Sequence, residues 1–287
     1  MFNDLETPYL IAEIGINHNG DINIAKKLMD ATNATGWNCA KFQKRNPDVC
    51  VPEHQKDLMR ETPWGTMKYI DYKYRVEFEK KEYDIINNQC KEKGIDWSAS
   101  VWDYDSLDFL LNNYNEIPFI KIPSAINGSY DFLVDVCKTN VPILVSLGMS
   151  ELEECDKIVN LLKKHSSDFC VMHTNSAYPA PNDQLNLSLI PFFIERYNCP
   201  VGYSGHEMDL EPSVIAAILG ANVIERHITL DHDMWGSDHK CSLEVNAMDI
   251  LKKRISSAHE SIGKPIKKVF EAEAPKIKSL KNIITKS

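Results

Sequence analysis

Short apolar runs recur along the chain, and the stretches between them carry apolar residues at helical spacing. The runs at 9–15, 39–42, 97–101, 119–122, 143–148, 169–173, 201–204 and 223–228 predict strands buried on both faces. Between them the period changes. A helix is expected over about 24–35, stopping at Gly36, and another from Pro212 to Gly220. Ser150 to Glu153 has the pattern of a capping box, followed by Leu152, Cys155, Val159 and Leu162 on one face. Met248, Leu251, Ile255, Ala258 and Ile262 keep register up to Gly263. Eight strand–helix repeats over roughly 250 residues predict an α/β fold of the (β/α)8 TIM-barrel type. A doubly wound open sheet usually has fewer strands and a glycine fingerprint after the first, and Gly15-Ile-Asn-His-Asn-Gly20 is not that fingerprint.

Two segments stand outside this rhythm. Residues 44 to about 74 form a long connection with Pro47, Pro52, Pro63, Trp64 and Gly65, and loops of that length serve as lids or binding loops. In a barrel it would fall on the C-terminal face, where active sites lie. After Gly263 the chain becomes rich in Lys and Glu. The expected division is therefore a barrel over 1–265 and a linker or tail over 266–287, with no second domain.

Composition narrows the function classes. The chain has 287 residues, 43% hydrophobic and 25% charged, within the range of ordinary globular proteins. A formal charge of −9 argues against a nucleic-acid partner, so positive charge for an anionic ligand must be gathered in a pocket. No apolar run is long enough for a membrane span, and the first residues lack the basic and apolar pattern of a secretory signal. The 8 Cys show no CxxC spacing, which fits reduced thiols and a cytoplasmic location.

Polar residues collect where the strands end: Glu13, Lys41 with Gln43, Ser98 with Ser100, Lys121 with Ser124, Ser146, His173 with Asn175, Ser204 with His206, and Glu225 with His227. Ser98, Ser100 and His173 read equally well as satisfied core residues, but polar groups on all the strands point to one convergent site. Lys41 and Lys121, two strands apart, could hold an anion between them. Ser146, Gly148 and Ser204 add hydroxyls and close backbone approach for phosphate oxygens. His206 and His227 end adjacent strands beside Glu13. They fit either a divalent cation with open positions or a structural pair. His232 and His239 read as surface residues.

With these residues assembled, the sequence resembles the sialic acid synthase (N-acylneuraminate synthase) family from Tyr9 to about Ser279. The matching segments are Ala12-Glu-Ile-Gly-Ile-Asn-His18, Ala40-Lys-Phe-Gln43, Phe119-Ile-Lys-Ile-Pro-Ser124 and Ser146-Leu-Gly-Met149. They continue with Thr174-Asn-Ser-Ala-Tyr-Pro179, Val201-Gly-Tyr-Ser-Gly-His-Glu207, Ile224-Glu-Arg-His-Ile-Thr229 and Gly236-Ser-Asp-His239. The resemblance implies a transferase of sialic acid biosynthesis that condenses phosphoenolpyruvate with an N-acyl hexosamine, such as N-acetylmannosamine or its 6-phosphate, and releases phosphate. It implies that Lys41, Lys121, Ser146, Gly148, Ser176 and Ser204 bind phosphoenolpyruvate and that Gln43, Tyr178 and Asp238 contact the sugar. His206 and His227 would hold a divalent metal, Mn2+ or Mg2+, with Glu13 as the carboxylate beside the reacting centre. Where many bacterial members have Ser-Gly-Glu, this chain has Ser124-Ala125-Ile126, and Ser176 stands where they often have Asn. The family continues into a small antifreeze-like domain reaching the partner subunit's sugar. The given sequence stops in the linker before it, so a homodimer or a separate polypeptide carrying that domain is the expected partner. A related 3-deoxy-aldulosonate synthase and a non-catalytic sugar-phosphate-binding barrel are the alternatives.

Overall fold

In a computed structural model, which describes residues 1–3, 5–165 and 168–281, the apolar runs become strands and the amphipathic stretches pack outside them. The strands are β1 (Tyr9–Gly15), β2 (Cys39–Lys44), β3 (Met59–Arg60), β4 (Met67–Lys68), β5 (Asp96–Val101), β6 (Ile120–Ile122), β7 (Ile143–Ser146), β8 (Phe169–Thr174), β9 (Val201–Gly205) and β10 (Val223–His227). All but β3 and β4 pair in parallel and close into a barrel in the order β1-β10-β9-β8-β7-β6-β5-β2. This is the (β/α)8 barrel expected from the strand count.

The period of two in each strand, combined with parallel register, stacks the interior in layers. In β1, Leu10, Ala12 and Ile14 face outward to the helices, while Ile11 and Glu13 point inward. The lower interior layer is apolar: Ile11, Cys39, Leu144, Cys170, Met172 and Val223, closed from below by Phe2 set edge-on against Phe119. One layer higher, Glu13 stands opposite Lys41 and His227, Ser100 opposite Lys121, and Glu225 opposite Ser204. The polar layer is thus carried at the strands' C-terminal ends on a dry floor.

Three expectations change in detail. The strand expected over 143–148 ends at Ser146, and its helix runs Leu152–His165. Ser150 does not form the capping box, because its hydroxyl is engaged by Asn127 (Nδ2 to Oγ, 3.1 Å). The same amide donates to the carbonyls of Ser146 and Gly148, so loop carbonyls that need buried donors have taken the side chains. The long connection after β2 is not a plain loop. It holds the helical turns Pro47–Cys50 and Glu53–Lys56, the antiparallel β3–β4 ribbon and the helix Tyr69–Val76. Trp235, from the segment after β10, packs edge-on against both Trp64 and Tyr72, which ties this excursion across the end of β1 to the loop after β10.

Past Ile262, the short helix Ala274–Leu280 buries no residue, and the last part of the expected tail, 282–287, lies outside the described residues. Among the described residues no helix is long and apolar enough to cross a membrane. All 8 cysteines are free.

Candidate active site

The polar layer lines one cavity of about 180 Å³, several times the roughly 30 Å³ a single water occupies. Glu13, Lys41, Gln43, Lys121, Ser146, Ser176, Tyr178, Ser204, His206 and His227 all reach its wall. Gly148 contributes differently: a Cβ there would stand 2.5 Å from Ser176 Oγ and 2.6 Å from Ser124 Oγ, so only glycine lets the hydroxyls converge. Asp238 is not on the cavity wall; its carboxylate accepts from Ser237 (2.6 Å) in the turn beyond β10.

The two lysines are already neutralised by protein carboxylates. Lys41 Nζ lies 2.5 Å from Glu13 Oε2 and 3.6 Å from Glu225 Oε1, and it donates to Ser100 Oγ at 2.9 Å. Lys121 Nζ lies 3.4 Å from Glu225 Oε1, which also accepts from Ser204 at 3.2 Å. Glu13 and Glu225 thus already supply counter-charge to the lysines expected to hold an anion between them. The sequence shows Glu225 as a polar strand end without assigning it a role; its place between two ammonium groups emerges only from barrel closure.

Burial treats the two acids differently. Desolvation raises Glu13 above the ordinary carboxylate range against the pull of Lys41. Glu225 is held down at about 2, desolvation being outweighed by Lys121 and Lys41. Lys121 is lowered by desolvation, partly countered by Glu225. The two buried carboxyls are thus pushed in opposite directions, Glu13 upward and Glu225 downward. Gln43 donates to the other oxygen of Glu13 at 3.0 Å and orients it.

The imidazoles of His206 and His227 have centroids 5.5 Å apart. Desolvation, with His227 adding, lowers His206 to about 4, and desolvation also lowers His227. His206 Nδ1 is bound to the Asn175 carbonyl at 2.6 Å, which fixes its proton there and leaves Nε2 as an acceptor facing Tyr178 Oη at 2.9 Å. His227 Nδ1 is buried without a partner. Two neutral imidazoles with available lone pairs fit a divalent cation whose other positions are open; no cluster of three His, Cys, Asp or Glu ligands occurs among the described residues.

Behind the cavity, Arg226 and Glu207 form a fully buried ion pair (Nη1 to Oε1, 2.8 Å), each beside one of the two histidines in sequence. Tyr203 Oη donates to Glu207 at 2.7 Å, and Arg226 also donates to Ser213 Oγ at 3.0 Å. The reading of the sequence missed this pair, although charged residues inside apolar strands were its visible signal. It also missed Trp102 and Thr174 on the wall. Of the remaining histidines, His173 Nε2 meets the Leu185 carbonyl at 2.7 Å, and Ser98 donates to the Phe119 carbonyl at 2.6 Å, both as satisfied core groups. His239, expected at the surface, is buried against Thr229 at 2.7 Å; His232 is half-exposed.

The family model described as the NeuB family matches residues 28–267. The chain belongs to this family. It is 35% identical over 257 residues to the N-acetylneuraminate-9-phosphate synthase of Drosophila melanogaster, covering 88% of this chain and 68% of that protein. It is 32% identical to the N,N'-diacetyllegionaminic acid synthase of Campylobacter jejuni, covering 97% of this chain and 83% of that protein. Among solved structures, the sialic acid synthetase of Leptospira borgpetersenii superposes with a TM-score of 0.84 at 25% identity, over 98% of this chain and 95% of that one. A truncated 3-deoxy-D-arabino-heptulosonate 7-phosphate synthase from Thermotoga maritima shares the fold alone, with a TM-score of 0.69 at 13% identity.

Proposed function

We propose that this member of the NeuB family is a nonulosonic acid synthase, an enzyme that condenses phosphoenolpyruvate with an N-acyl hexosamine and releases phosphate. The observation that carries the reading is the single cavity in which Glu13, Lys41, Lys121, Glu225, His206 and His227 meet. In the reaction, C3 of phosphoenolpyruvate attacks the aldehyde carbon of the open-chain sugar, and the aldehyde oxygen takes up a proton. Water adds at the C2 cation so formed and loses a proton. Phosphate then leaves with its bridging oxygen, giving the 2-keto acid.

Each residue has a task in that sequence. Lys41 and Lys121 turn from Glu13 and Glu225 toward the phosphate and carboxylate of phosphoenolpyruvate, with Ser146, Ser176, Ser204 and the Gly148 backbone completing the cradle. Glu13, raised toward neutrality, moves the proton between water and the new hydroxyl. Glu225 stays ionised and stabilises positive charge at C2. Gln43, Tyr178 and Asp238 are the sugar contacts, Asp238 from beyond the wall. His206 and His227 would hold a divalent cation, Mn2+ or Mg2+, which when bound polarises the aldehyde oxygen. In the same reading, residues 1–265 are the catalytic barrel and those after 265 a linker or tail.

The test supplies phosphoenolpyruvate, Mn2+ and N-acetylmannosamine or its 6-phosphate, and follows phosphate release together with the product's mass. One phosphate per 2-keto acid formed is expected with at least one sugar. Absence of sugar-dependent phosphate release from both would refute the reading.

A further inference from the structure

The loop between β7 and the helix Leu152–His165 carries Ser146 and Gly148 of the phosphate cradle, and its shape does not follow from its own residues. Met149 has a φ of 59°, a left-handed conformation that side chains other than glycine rarely adopt. Its side chain is 69% exposed, so packing of that side chain does not hold it there. Such conformations persist only where the surroundings impose them. The Leu147 amide is fixed by the Met172 carbonyl at 2.9 Å, whereas the amides of Gly148, Met149 and Ser150 find no acceptor among the described residues.

What imposes the shape is Asn127, which follows the single helical turn Ser124–Ile126 after β6. It is 4% exposed. Its Nδ2 donates to the Ser146 carbonyl at 2.9 Å and the Gly148 carbonyl at 3.1 Å, and it meets Ser150 Oγ at 3.1 Å. Ser150 Oγ in turn lies 3.4 Å from Asn127 Oδ1, so the loop closes around one amide. A primary amide carries two N–H groups on one nitrogen, which lets it serve two carbonyls at once. In a planar trans peptide the carbonyl and the following N–H point in opposite directions. With the Gly148 carbonyl turned to Asn127, the Met149 N–H is therefore turned away from it. Asn127 lies off the cavity wall while Ser146 and Met149 lie on it, so the side facing away from Asn127 is the cavity side.

We propose that Asn127 is a positioning residue for phosphoenolpyruvate: by holding the carbonyls of Ser146 and Gly148 it turns the free amides of the loop toward the phosphate, without touching the substrate itself. This rests on the condensation proposed above. Successive backbone N–H groups in a left-handed turn ahead of a helix form a concavity for anion oxygens. Without the Asn127 amide, two buried carbonyls lose their donor, and the loop must turn them to find another. The same residue joins the two halves of the cradle, because β6, which carries Lys121, runs into the turn that ends at Asn127.

Calorimetry of phosphoenolpyruvate and, separately, of Mn2+ tests this role in Asn127→Leu, which keeps the shape without a donor, and in Asn127→Ser, which keeps one hydroxyl. Phosphoenolpyruvate binding should weaken at least about tenfold in Asn127→Leu and by less in Asn127→Ser. Ser150→Ala removes one contact of a half-buried hydroxyl and is the variant least able to disturb folding; a loss of about two- to threefold is expected. Mn2+ affinity, set by His206 just after β9 and His227 on β10, should stay within about twofold of wild type in all three. A residue that only stabilised the fold would lower the melting temperature and leave both affinities of the folded protein unchanged. Asn127→Ser and Ser150→Ala carry the test where Asn127→Leu does not fold. Wild-type phosphoenolpyruvate affinity in the folded variants, or equal losses of phosphoenolpyruvate and Mn2+ binding, would overturn the positioning role alone. Absence of phosphoenolpyruvate binding by the wild type refutes the condensation and the positioning role together.

Discussion

Lys121 and Glu225 show how much of this site depends on single side chains. In Lys121→Ala, Glu225 keeps the longer contact to Lys41 and the Ser204 hydroxyl, and on the proposed reaction phosphoenolpyruvate loses one charge-assisted partner. Such a contact is worth roughly 1.5–3 kcal/mol, so calorimetry should find binding weakened at least about tenfold. Unchanged affinity would remove Lys121 from the substrate cradle. His18 offers a pH test away from the chemistry. It is stacked at 3.8 Å on Phe78, and desolvation, opposed by a backbone contact at Gly15 and reinforced by Arg45, lowers it to about 3. Its folded value lies below the unfolded value near 6.5, so the unfolded chain binds more protons between the two. Stability from His18 is therefore complete above about pH 6.5 and is lost as pH falls toward 3, by about 2 kcal/mol at pH 5. Urea denaturation of wild type and His18→Asn at pH 7 and pH 5 should show this part of the acid sensitivity disappearing in the variant. Equal pH dependence in both would refute it. At this scale the sequence was informative about residue type and silent about pairing. Lys41, Lys121 and Glu225 were visible as polar strand ends, but which ammonium meets which carboxylate depends on β10 closing against β1.

The element scale explains why the histidines stand where they do. Alternation in β10, and in the two residues that follow β9, turns His227 and His206 to the cavity and sends Arg226 and Glu207 behind it, where they pair out of water. Breaking a buried pair leaves an uncompensated charge, which costs about 3–5 kcal/mol, whereas removing both partners costs far less. Arg226→Met should lower the unfolding free energy by that amount, and combining it with Glu207→Leu should recover most of it; Mn2+ affinity should fall in the single variant. Denaturation curves equal to wild type for Arg226→Met would contradict this role. Strands were legible because each is a short apolar run with a polar end, and their bounds moved by only a residue or two. The excursion after β2 was legible only as long and Pro-rich. Its elements of two to eight residues are too short to show a period, and they are fixed by contacts with Trp235 that are remote in sequence.

For the whole molecule, layers follow from parallel register: Phe2 and the apolar layer seal the bottom, and charge gathers at the top. That sorting gathers two lysines of an acidic protein in one cavity above an apolar floor, as the proposed anionic substrate requires. The fold and family were readable because the motifs sit at strand ends in a fixed order; the way the excursion after β2 folds over the barrel mouth was not, because its elements are short and held by remote contacts. The central claim is condensation with cleavage of the C2–oxygen bond of phosphoenolpyruvate. The most direct measurement is turnover of phosphoenolpyruvate carrying 18O in its bridging oxygen, with the mass of the released phosphate read afterward. The account predicts that the label leaves with phosphate and that the keto oxygen of the product comes from water. Label retained in the 2-keto acid would contradict it.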